Sequence, residues 1–189
     1  MILIRHGQSE FNVVYGKTRI DPGIRDPKLT ELGHRQARAA AETVRELGVH
    51  RIVSSPYTRA LQTATIIAEA LDLSVTVDPH IGERAAFTCD IGTPRSALQT
   101  AWPHLQLDHI EETWWPKMEE SETALDLRGQ AFRTRMHDSG DWQGTAVVSH
   151  WGFIRTLTGH RVANCTVLRF DPSAEHPGGG TVVSNTDVC

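Results

Sequence analysis

Arg5 and His6 stand side by side directly after the short apolar run MILI that opens the chain. A second histidine, His150, follows the apolar run TAVVS, and Arg59 lies one helical turn after Pro56. Guanidinium groups match the oxygens of a phosphate, and backbone N–H groups at helix N-termini favour negative charge. If these side chains converge, they predict a phosphate-binding site.

The chemistry expected of such a site follows from histidine itself. A neutral imidazole attacks phosphorus and forms a covalent phosphohistidine, which divides one displacement into two steps. Positive side chains then neutralise the charge on the phosphoryl oxygens during transfer. A carboxylic acid is also needed, because the leaving oxygen must be protonated. Glu83 is one candidate for this acid, and Asp78 and Asp90 compete with it.

The pattern of apolar runs predicts how these distant residues meet. Five runs have the composition of β-strands, with helical patterns between most of them: residues 2–4, 51–54, 73–77, 145–149 and 166–170. Alternating strands and helices predict an α/β fold, a three-layer α/β/α sandwich with a mostly parallel central sheet. In such a sheet the carboxyl ends of the parallel strands share one rim, where ligands bind.

Three helices are predicted between the strands. The first begins after Thr30, a good N-cap, and ends at Gly48; the second follows Pro56; the third covers about residues 121–137. Residues 78–120 are less regular and predict an elaborated loop or a helical lid over one end of the sheet. The C-terminal tail, which contains a turn-rich stretch, predicts one short edge strand.

Aromatic side chains in the irregular segment have two interpretations. The adjacent pair Trp114 and Trp115 either packs over the core, the commoner role of tryptophan, or contributes to a substrate pocket. Together with Phe87 and Trp102, these rings make the expected pocket walls apolar. Apolar walls indicate a substrate other than a small, highly charged acid.

Composition limits the classes of protein and partner. The 189 residues predict a single domain over residues 1–189, with residues 78–120 as its irregular insertion. The net charge is −4 and the 19 basic residues are scattered, so no nucleic-acid partner is expected. No apolar run is long enough to span a bilayer, which predicts a cytoplasmic protein without a membrane partner. Cys89, Cys165 and Cys189 lack CxxC spacing, which favours neither a disulfide framework nor a zinc site.

Four segments together resemble one known family. LIRHGQSEFN is similar to the RHGxSxxN signature of the histidine phosphatase superfamily, also called the phosphoglycerate mutase-like family. SSPYTRALQTA and VVSHWGFIR resemble its second and third signatures, and DPKLTELGHRQA resembles the segment that links the first two. Four motifs in the right order are far more specific than any one of them.

The resemblance implies a role for each candidate residue. It makes His6 the phosphorylated nucleophile, Arg5 and Arg59 phosphate-binding residues, and His150 the second histidine of the pocket. Asn12, the last residue of the first signature, is expected to contact the phosphate. For the proton donor, the family places a glutamate after the third strand, which corresponds to Glu83 here.

Trp151 departs from the family pattern, which has a small residue directly after the second histidine. Its indole is expected at the floor or the rim of the pocket, with its backbone N–H still available to the phosphate.

Within the family, the same core serves phosphatases and mutases. Family mutases carry a Lys-Tyr pair and paired arginines after the proton donor, whereas the corresponding stretch here contains only Arg95 and Lys117 as cations. The sequence therefore favours a phosphatase that hydrolyses a small phosphorylated substrate, with no metal or other cofactor required. The alternatives are a phosphoglycerate mutase-type isomerase and a weakly catalytic binding or regulatory module. Neither the substrate nor the oligomeric state follows from the sequence.

Overall fold

The computed structural model describes residues 1–185 and contains six β-strands and six α-helices. The strands are β1 (Ile2–Arg5), β2 (Arg51–Ser54), β3 (Val75–Val77), β4 (Thr145–Ser149), β5 (Val167–Phe170) and β6 (Gly180–Ser184). The helices are α1 (Glu10–Thr18), α2 (Glu31–Arg45), α3 (Thr58–Leu71), α4 (Arg95–Ala101), α5 (Glu122–Asp138) and α6 (Trp151–Thr158). Two short 3₁₀ turns cover Pro79–Ile81 and Thr88–Asp90.

The strands form one mixed sheet in the order β3-β2-β4-β1-β5-β6. Strands β1 to β4 are parallel, β5 is antiparallel to β1, and β6 is antiparallel to β5. In the register of the central strands Arg5 is opposite Ser149, and Ser54 is opposite Val148. Strands β1, β2 and β4 therefore end at the same rim, and the polar residues that follow them begin there.

Side chains of the sheet alternate between two buried faces, which produces the three layers. Ile2 and Ile4 pack with the alanine-rich faces of α2 and α3. Leu3 points the other way and packs with apolar residues of α5 and α6, including Phe132 and Phe153. Because both faces of the sheet are covered, the predicted α/β/α sandwich is confirmed.

Helix α2 begins as the sequence indicates, with the Thr30 hydroxyl accepting a hydrogen bond from the Gly33 backbone N–H at 3.1 Å. It ends at Arg45, three residues before the predicted end at Gly48, whose φ of +67° is left-handed. Gly33 also allows a close approach, because a Cβ there would lie 2.1 Å from the Gln8 carbonyl oxygen. Helix α2 thus holds the loop after β1 in place.

Helix α1 was not among the predicted elements. Ser9 caps it through a reciprocal pair, in which the Asn12 backbone N–H donates to Ser9 Oγ and the Ser9 N–H donates to Asn12 Oδ1. Phe11 is the helix's one buried residue, so α1 lacks the apolar stripe by which amphipathic helices are recognised.

The irregular segment of residues 78–120 contributes a third apolar cluster at the β3 side of the sheet. Its members are Leu61, Val77, Leu98, Leu105, Leu107 and Ile110. Trp102 and Trp114 pack against this cluster, and the Trp114 indole N–H donates to the Thr93 carbonyl oxygen at 2.9 Å. Most of the segment is therefore packed onto the body of the protein.

The tail forms the predicted edge strand β6. Cys89 and Cys165 are buried free thiols, whereas Cys189 lies outside the described residues. Among residues 1–185, no helix combines the length and the apolar character needed to cross a bilayer.

Candidate active site

A cleft of about 810 Å³ opens at the rim where β1, β2 and β4 end. Four of the predicted functional side chains, Arg5, His6, Arg59 and Glu83, line it. His150 is fully buried next to His6, with 5.1 Å between the centroids of the two imidazole rings. The structure therefore brings together the five residues that the sequence placed at separate strand ends.

His6 is presented as a neutral imidazole with a defined tautomer. Its Nδ1 lies 2.7 Å from the carbonyl oxygen of Gly7, an atom that only accepts hydrogen bonds, so Nδ1 carries the proton. The lone pair is consequently on Nε2. Burial lowers the pKa of His6 well below its ordinary value, and the charges of Arg59 and Arg5 lower it further. Such an imidazole is a ready nucleophile.

His150 is held through its Nε2, whereas His6 is held through its Nδ1. Its Nε2 lies 2.8 Å from the hydroxyl oxygen of Ser55, the residue that follows β2. Its Nδ1 is buried and has no hydrogen-bond partner among the described residues. Burial also lowers the pKa of His150 well below its ordinary value, with contributions from Arg59 and His6. A buried polar atom without a partner is costly, so Nδ1 is a candidate to bind a ligand.

The two arginines are anchored in ways that leave them positively charged. Arg5 donates to the Val162 carbonyl oxygen at 2.8 Å, while its Nε is buried without a partner among the described residues. Burial lowers the pKa of Arg5 to about 10, so the guanidinium remains charged at neutral pH. Arg59 donates to the Cys89 carbonyl oxygen at 2.9 Å and forms a buried ion pair with Asp90 at 3.2 Å. These fixed charges favour an anion in the cleft.

Glu83 stands where it could exchange a proton with a ligand. Its Oε1 accepts hydrogen bonds from the backbone N–H groups of Arg84 and Gly152, both at 2.9 Å. Burial raises the pKa of Glu83, and the nearby charge of Asp90 raises it further, against the opposing effect of the two hydrogen bonds. Gly152 permits this contact, since a Cβ there would lie 2.4 Å from Glu83 Oε1.

The two competing carboxylates have other roles. Asp90 is 3% exposed, and besides Arg59 it accepts hydrogen bonds from the backbone N–H groups of Ala86 and Phe87. Asp78 lines a separate cavity and forms an ion pair with Arg135. Asp78 is therefore outside the cleft lining, whereas Asp90 lines the cleft with its oxygens engaged by Arg59 and backbone N–H groups.

Asn12 and Trp151 both line the cleft. The Asn12 Oδ1 is used within the protein, since it accepts from the Ser9 N–H and, at 3.1 Å, from the Asn164 amide. This leaves the Asn12 amide N–H groups for the cleft. Trp151 is the first residue of α6, where backbone N–H groups lack partners within the helix, and its ring lies 5.2 Å from the Arg155 guanidinium carbon.

Several supporting residues were given no role by the sequence analysis. Ser55 lies inside the second signature, and its position directly after a strand was the available signal. Asn164 donates to the carbonyl oxygen of His6 at 3.0 Å, but no local pattern marks it. Tyr57 is buried, and its ring lies 4.5 Å from the Arg59 guanidinium carbon. The contacts of Ser55 with His150 and of Asn164 with His6 join residues far apart in the chain, so they depend on the fold.

The aromatic side chains that line the cleft differ from those that the sequence predicted for it. Phe87 lines the cleft, together with Phe11 and Tyr15 of α1, whereas Trp102, Trp114 and Trp115 are absent from its lining. The packing interpretation of Trp114 is the correct one, because its ring contacts Tyr57 at a centroid distance of 4.7 Å. Of the irregular segment, only residues within 83–90 line the cleft.

Within the part of the chain that the structure describes, no group of three or more histidine, cysteine, aspartate or glutamate side chains is arranged to hold a metal ion. Apart from His6, the basic side chains in the lining of the cleft are arginines: Arg5, Arg19, Arg59, Arg84 and Arg155.

Known proteins match parts of this chain in sequence and most of it in fold. The chain is 43% identical over 81 residues to the probable phosphoglycerate mutase GpmB of Proteus mirabilis, a match that covers 43% of this chain and 36% of that protein. The chain thus aligns with about a third of the length of this curated relative.

Solved structures match over more of the chain. A mycobacterial glucosyl-3-phosphoglycerate phosphatase in complex with VO3 is 25% identical, with a TM-score of 0.63, over 89% of this chain and 88% of that one. The ecdysone phosphate phosphatase from Bombix mori, at 18% identity and a TM-score of 0.65 over 97% and 91% of the two chains, shows the same fold.

The sequence model of one family covers the strands and helices that build the cleft. It matches residues 1–174, a span that contains all five converging side chains and all four motifs. The chain belongs to branch 1 of the histidine phosphatase superfamily.

Proposed function

We propose that the protein is a phosphatase that hydrolyses a small phosphate monoester through a phosphohistidine on His6. The observation that carries the proposal is the His6 tautomer. Its Nδ1 proton is directed to the Gly7 carbonyl, so the Nε2 lone pair is free to attack. Arg5 and Arg59 line the same cleft, and the His150 ring lies 5.1 Å from the His6 ring. A nucleophile next to fixed positive charge is the arrangement that phosphoryl transfer requires.

In the first step, Nε2 of His6 attacks phosphorus, and a P–N bond forms as the bond from phosphorus to the leaving oxygen breaks. Protonated Glu83 transfers its proton to that oxygen and releases the alcohol. The raised pKa of Glu83 keeps a larger fraction of it protonated than for an ordinary glutamate. In the second step, water attacks phosphorus, Glu83 accepts the water's proton, and the P–N electron pair returns to Nε2.

Charge stabilisation comes from the chain's own side chains. Arg5 and Arg59 are fixed by their carbonyl and carboxylate partners before any ligand enters, so little reorganisation is needed during the reaction. His150 Nδ1 and Arg5 Nε, both buried without a partner among the described residues, are the donors that would bind phosphoryl oxygens. Entry of a phosphate dianion favours the protonated form of His150, which supplies the proton that Nδ1 needs to donate. With these charges present, no metal is required by the proposal.

The competing reaction is phosphoglycerate mutase-type isomerisation, the activity for which the curated relatives are named. A mutase needs cations that hold the carboxylate of its substrate. Arg95, one of two cations in the segment that carries them in family mutases, forms ion pairs with Asp108 and Glu112 and is absent from the cleft lining. Lys117 is exposed and also absent from that lining. Neither of these two side chains is therefore placed to hold a carboxylate in the cleft, which supports hydrolysis.

A third possibility is a weakly catalytic module that binds phosphate esters. The complete set of nucleophile, arginines, second histidine and acid argues against it, because binding alone needs neither the free Nε2 nor the raised pKa of Glu83.

The test is to trap the intermediate. The protein is mixed with a panel of phosphate-labelled sugar, aryl and glycerate monoesters in the presence of a chelator, and quenched in base within milliseconds. We expect acid-labile label on His6 and release of inorganic phosphate. His6→Ala removes both, whereas His104→Ala, which alters an exposed histidine, keeps both.

Other outcomes assign the protein differently. Rapid isomerisation of 3-phosphoglycerate without net hydrolysis would identify a mutase. Binding of the esters with neither label on the protein nor release of phosphate would identify a binding module. Loss of turnover in chelator, with recovery on adding a divalent ion, would contradict metal independence.

A further inference from the structure

Three aromatic side chains form one wall of the cleft. Phe11 stacks on Tyr15 with 5.0 Å between ring centroids, and Phe87 lies 5.6 Å from Phe11 and 5.1 Å from Tyr15. All three line the cleft, so we refer to them as the aromatic wall. Phe87 is 41% exposed, an unusual state for a large apolar ring that already has two aromatic neighbours.

The aromatic wall is fixed to the phosphate-binding end of the cleft. The backbone N–H of Phe87 donates to Asp90 at 3.0 Å, and the other oxygen of Asp90 pairs with Arg59. Within the same wall, Tyr15 lies three residues after Asn12 on α1, which is about 4.5 Å along the helix axis. A phosphate held by Arg59 and Asn12 therefore places the next part of the substrate against the aromatic wall.

The volume of the cleft exceeds what a phosphate with a short alkyl chain needs. At about 810 Å³ it falls in the range of pockets that enclose drug-sized molecules. Arg19, at the C-terminal end of α1, also lines the cleft, with its guanidinium carbon 5.8 Å from the Tyr15 ring centroid. Arg19 is exposed, so the far end of the aromatic wall is cationic.

We propose, on the basis of the phosphatase function proposed above, that the substrate is a phosphate monoester whose alcohol carries a flat aromatic ring. The ring stacks against Phe87 and Tyr15 while the phosphate lies between Arg5 and Arg59. Aromatic pairs prefer offset or edge-to-face contacts at centroid distances of about 4.5–7 Å, and the exposed face of Phe87 supplies such a contact.

The test separates binding from turnover by using phosphonates, which are not hydrolysed. Calorimetry compares the Kd of phenethylphosphonate with that of n-butylphosphonate, which has a similar acidity and chain but no ring. We expect the aromatic ligand to bind about tenfold more tightly to the unaltered protein. In Phe87→Ala and Tyr15→Ala this ratio falls to about twofold, and in Phe87→Leu, which keeps apolar volume without a ring, it falls to an intermediate value.

Met118→Ala is the matched control, because Met118 is a large apolar residue, 82% exposed, that does not line the cleft. The tenfold ratio should persist in this variant. A ratio near one in the unaltered protein, or a ratio unchanged in both Phe87→Ala and Tyr15→Ala, would overturn the aromatic substrate class.

Hydrolysis of the two corresponding phosphates distinguishes this inference from the proposed function. These esters have primary-alcohol leaving groups of nearly equal acidity, so a difference in kcat/KM reports recognition of the ring. Equal hydrolysis of both overturns the inference and leaves the phosphatase function standing. Selective phosphonate binding without hydrolysis of either ester supports the ring site and contradicts the phosphatase function.

Discussion

The hydroxyl oxygen of Ser55 lies 2.8 Å from Nε2 of His150, and this contact determines which nitrogen of the buried imidazole remains unbonded. The two residues follow β2 and β4, which are adjacent in the sheet, with Ser54 opposite Val148. The sheet register thus positions the second histidine of the site through a serine from the neighbouring strand. Ser55 is a positioning residue, since it acts through His150.

Removing the Ser55 hydroxyl should weaken catalysis more than folding. In Ser55→Ala we expect kcat to fall about 5- to 10-fold, because one hydrogen bond contributes about 1–1.5 kcal/mol to the orientation of His150. Ser54→Ala is the matched control: it removes an adjacent buried hydroxyl that donates to a backbone carbonyl. Steady-state kinetics and thermal unfolding of both variants are measured together. If Ser55→Ala and Ser54→Ala lost the same kcat and the same Tm, Ser55 would have a merely structural role.

Replacement of Glu83 should affect substrates according to their leaving groups. Glu83→Gln keeps the shape and one acceptor oxygen but cannot donate a carboxyl proton, so esters of poorly acidic alcohols should slow by about 10²–10⁴-fold. Aryl esters, whose leaving groups need less protonation, should slow far less. The measurement is kcat/KM across a series of monoesters graded by the acidity of the alcohol. A uniform loss across the series would place the acid role on another residue.

The buried histidines predict a loss of stability in acid. The pKa values of His6 and His150 are lowered in the folded protein, mainly by burial, so the folded state binds fewer protons than the unfolded chain below pH ~6.5. Above that pH both states hold the histidines neutral and there is no penalty; below it, protonation of the unfolded chain progressively destabilises the fold. Each histidine contributes a slope of at most about 1.4 kcal/mol per pH unit.

Urea unfolding at pH 7.5 and pH 5.5 measures this slope. The double variant His6→Asn/His150→Asn should be less sensitive to acid than the unaltered protein. His104→Asn, which replaces an exposed histidine, should retain the full sensitivity. An unchanged slope in the double variant would assign the acid sensitivity to other groups.

The buried ion pair between Asp90 and Arg59 should matter far more than a surface pair. Asp90→Asn leaves the Arg59 charge buried without its counter-ion, and we expect a loss of about 3 kcal/mol in the free energy of unfolding. Asp108→Asn is the control: Asp108 pairs with Arg95 at 3.6 Å, but its side chain is 99% exposed, so its loss should be close to zero.

Chemical denaturation of the two aspartate variants checks this difference. Asp90→Asn should also lower the pKa of Glu83, because the charge of Asp90 is one of the causes that raise it. The alkaline limb of the pH–rate profile would then move to lower pH. If Asp90→Asn kept its free energy of unfolding and the alkaline limb of its pH–rate profile stayed at the same pH, both expectations would be contradicted.

The sequence predicted those parts of the site that depend on residues close to one another in the chain. Arg5 and His6 follow β1 within a few residues, and the Thr30 cap and the apolar stripe of α2 are likewise short-range patterns. The common rim of the parallel strands then brings His150 and Arg59 to His6 by a general property of such sheets. Helix α1 was missed because one buried residue, Phe11, gives no periodic signal.

The family motifs, the α/β class and the residues at the strand ends could be predicted from the sequence. The pairing of Asp90 with Arg59, the contact of Ser55 with His150, and the placement of Phe87 beside Tyr15 while Trp114 packs elsewhere emerge only in the folded chain. The difference lies in the separation along the chain over which each interaction acts. A strand or a helix cap depends on neighbours within a few positions, whereas a carboxylate's role depends on which charge the folded chain places 3.2 Å away.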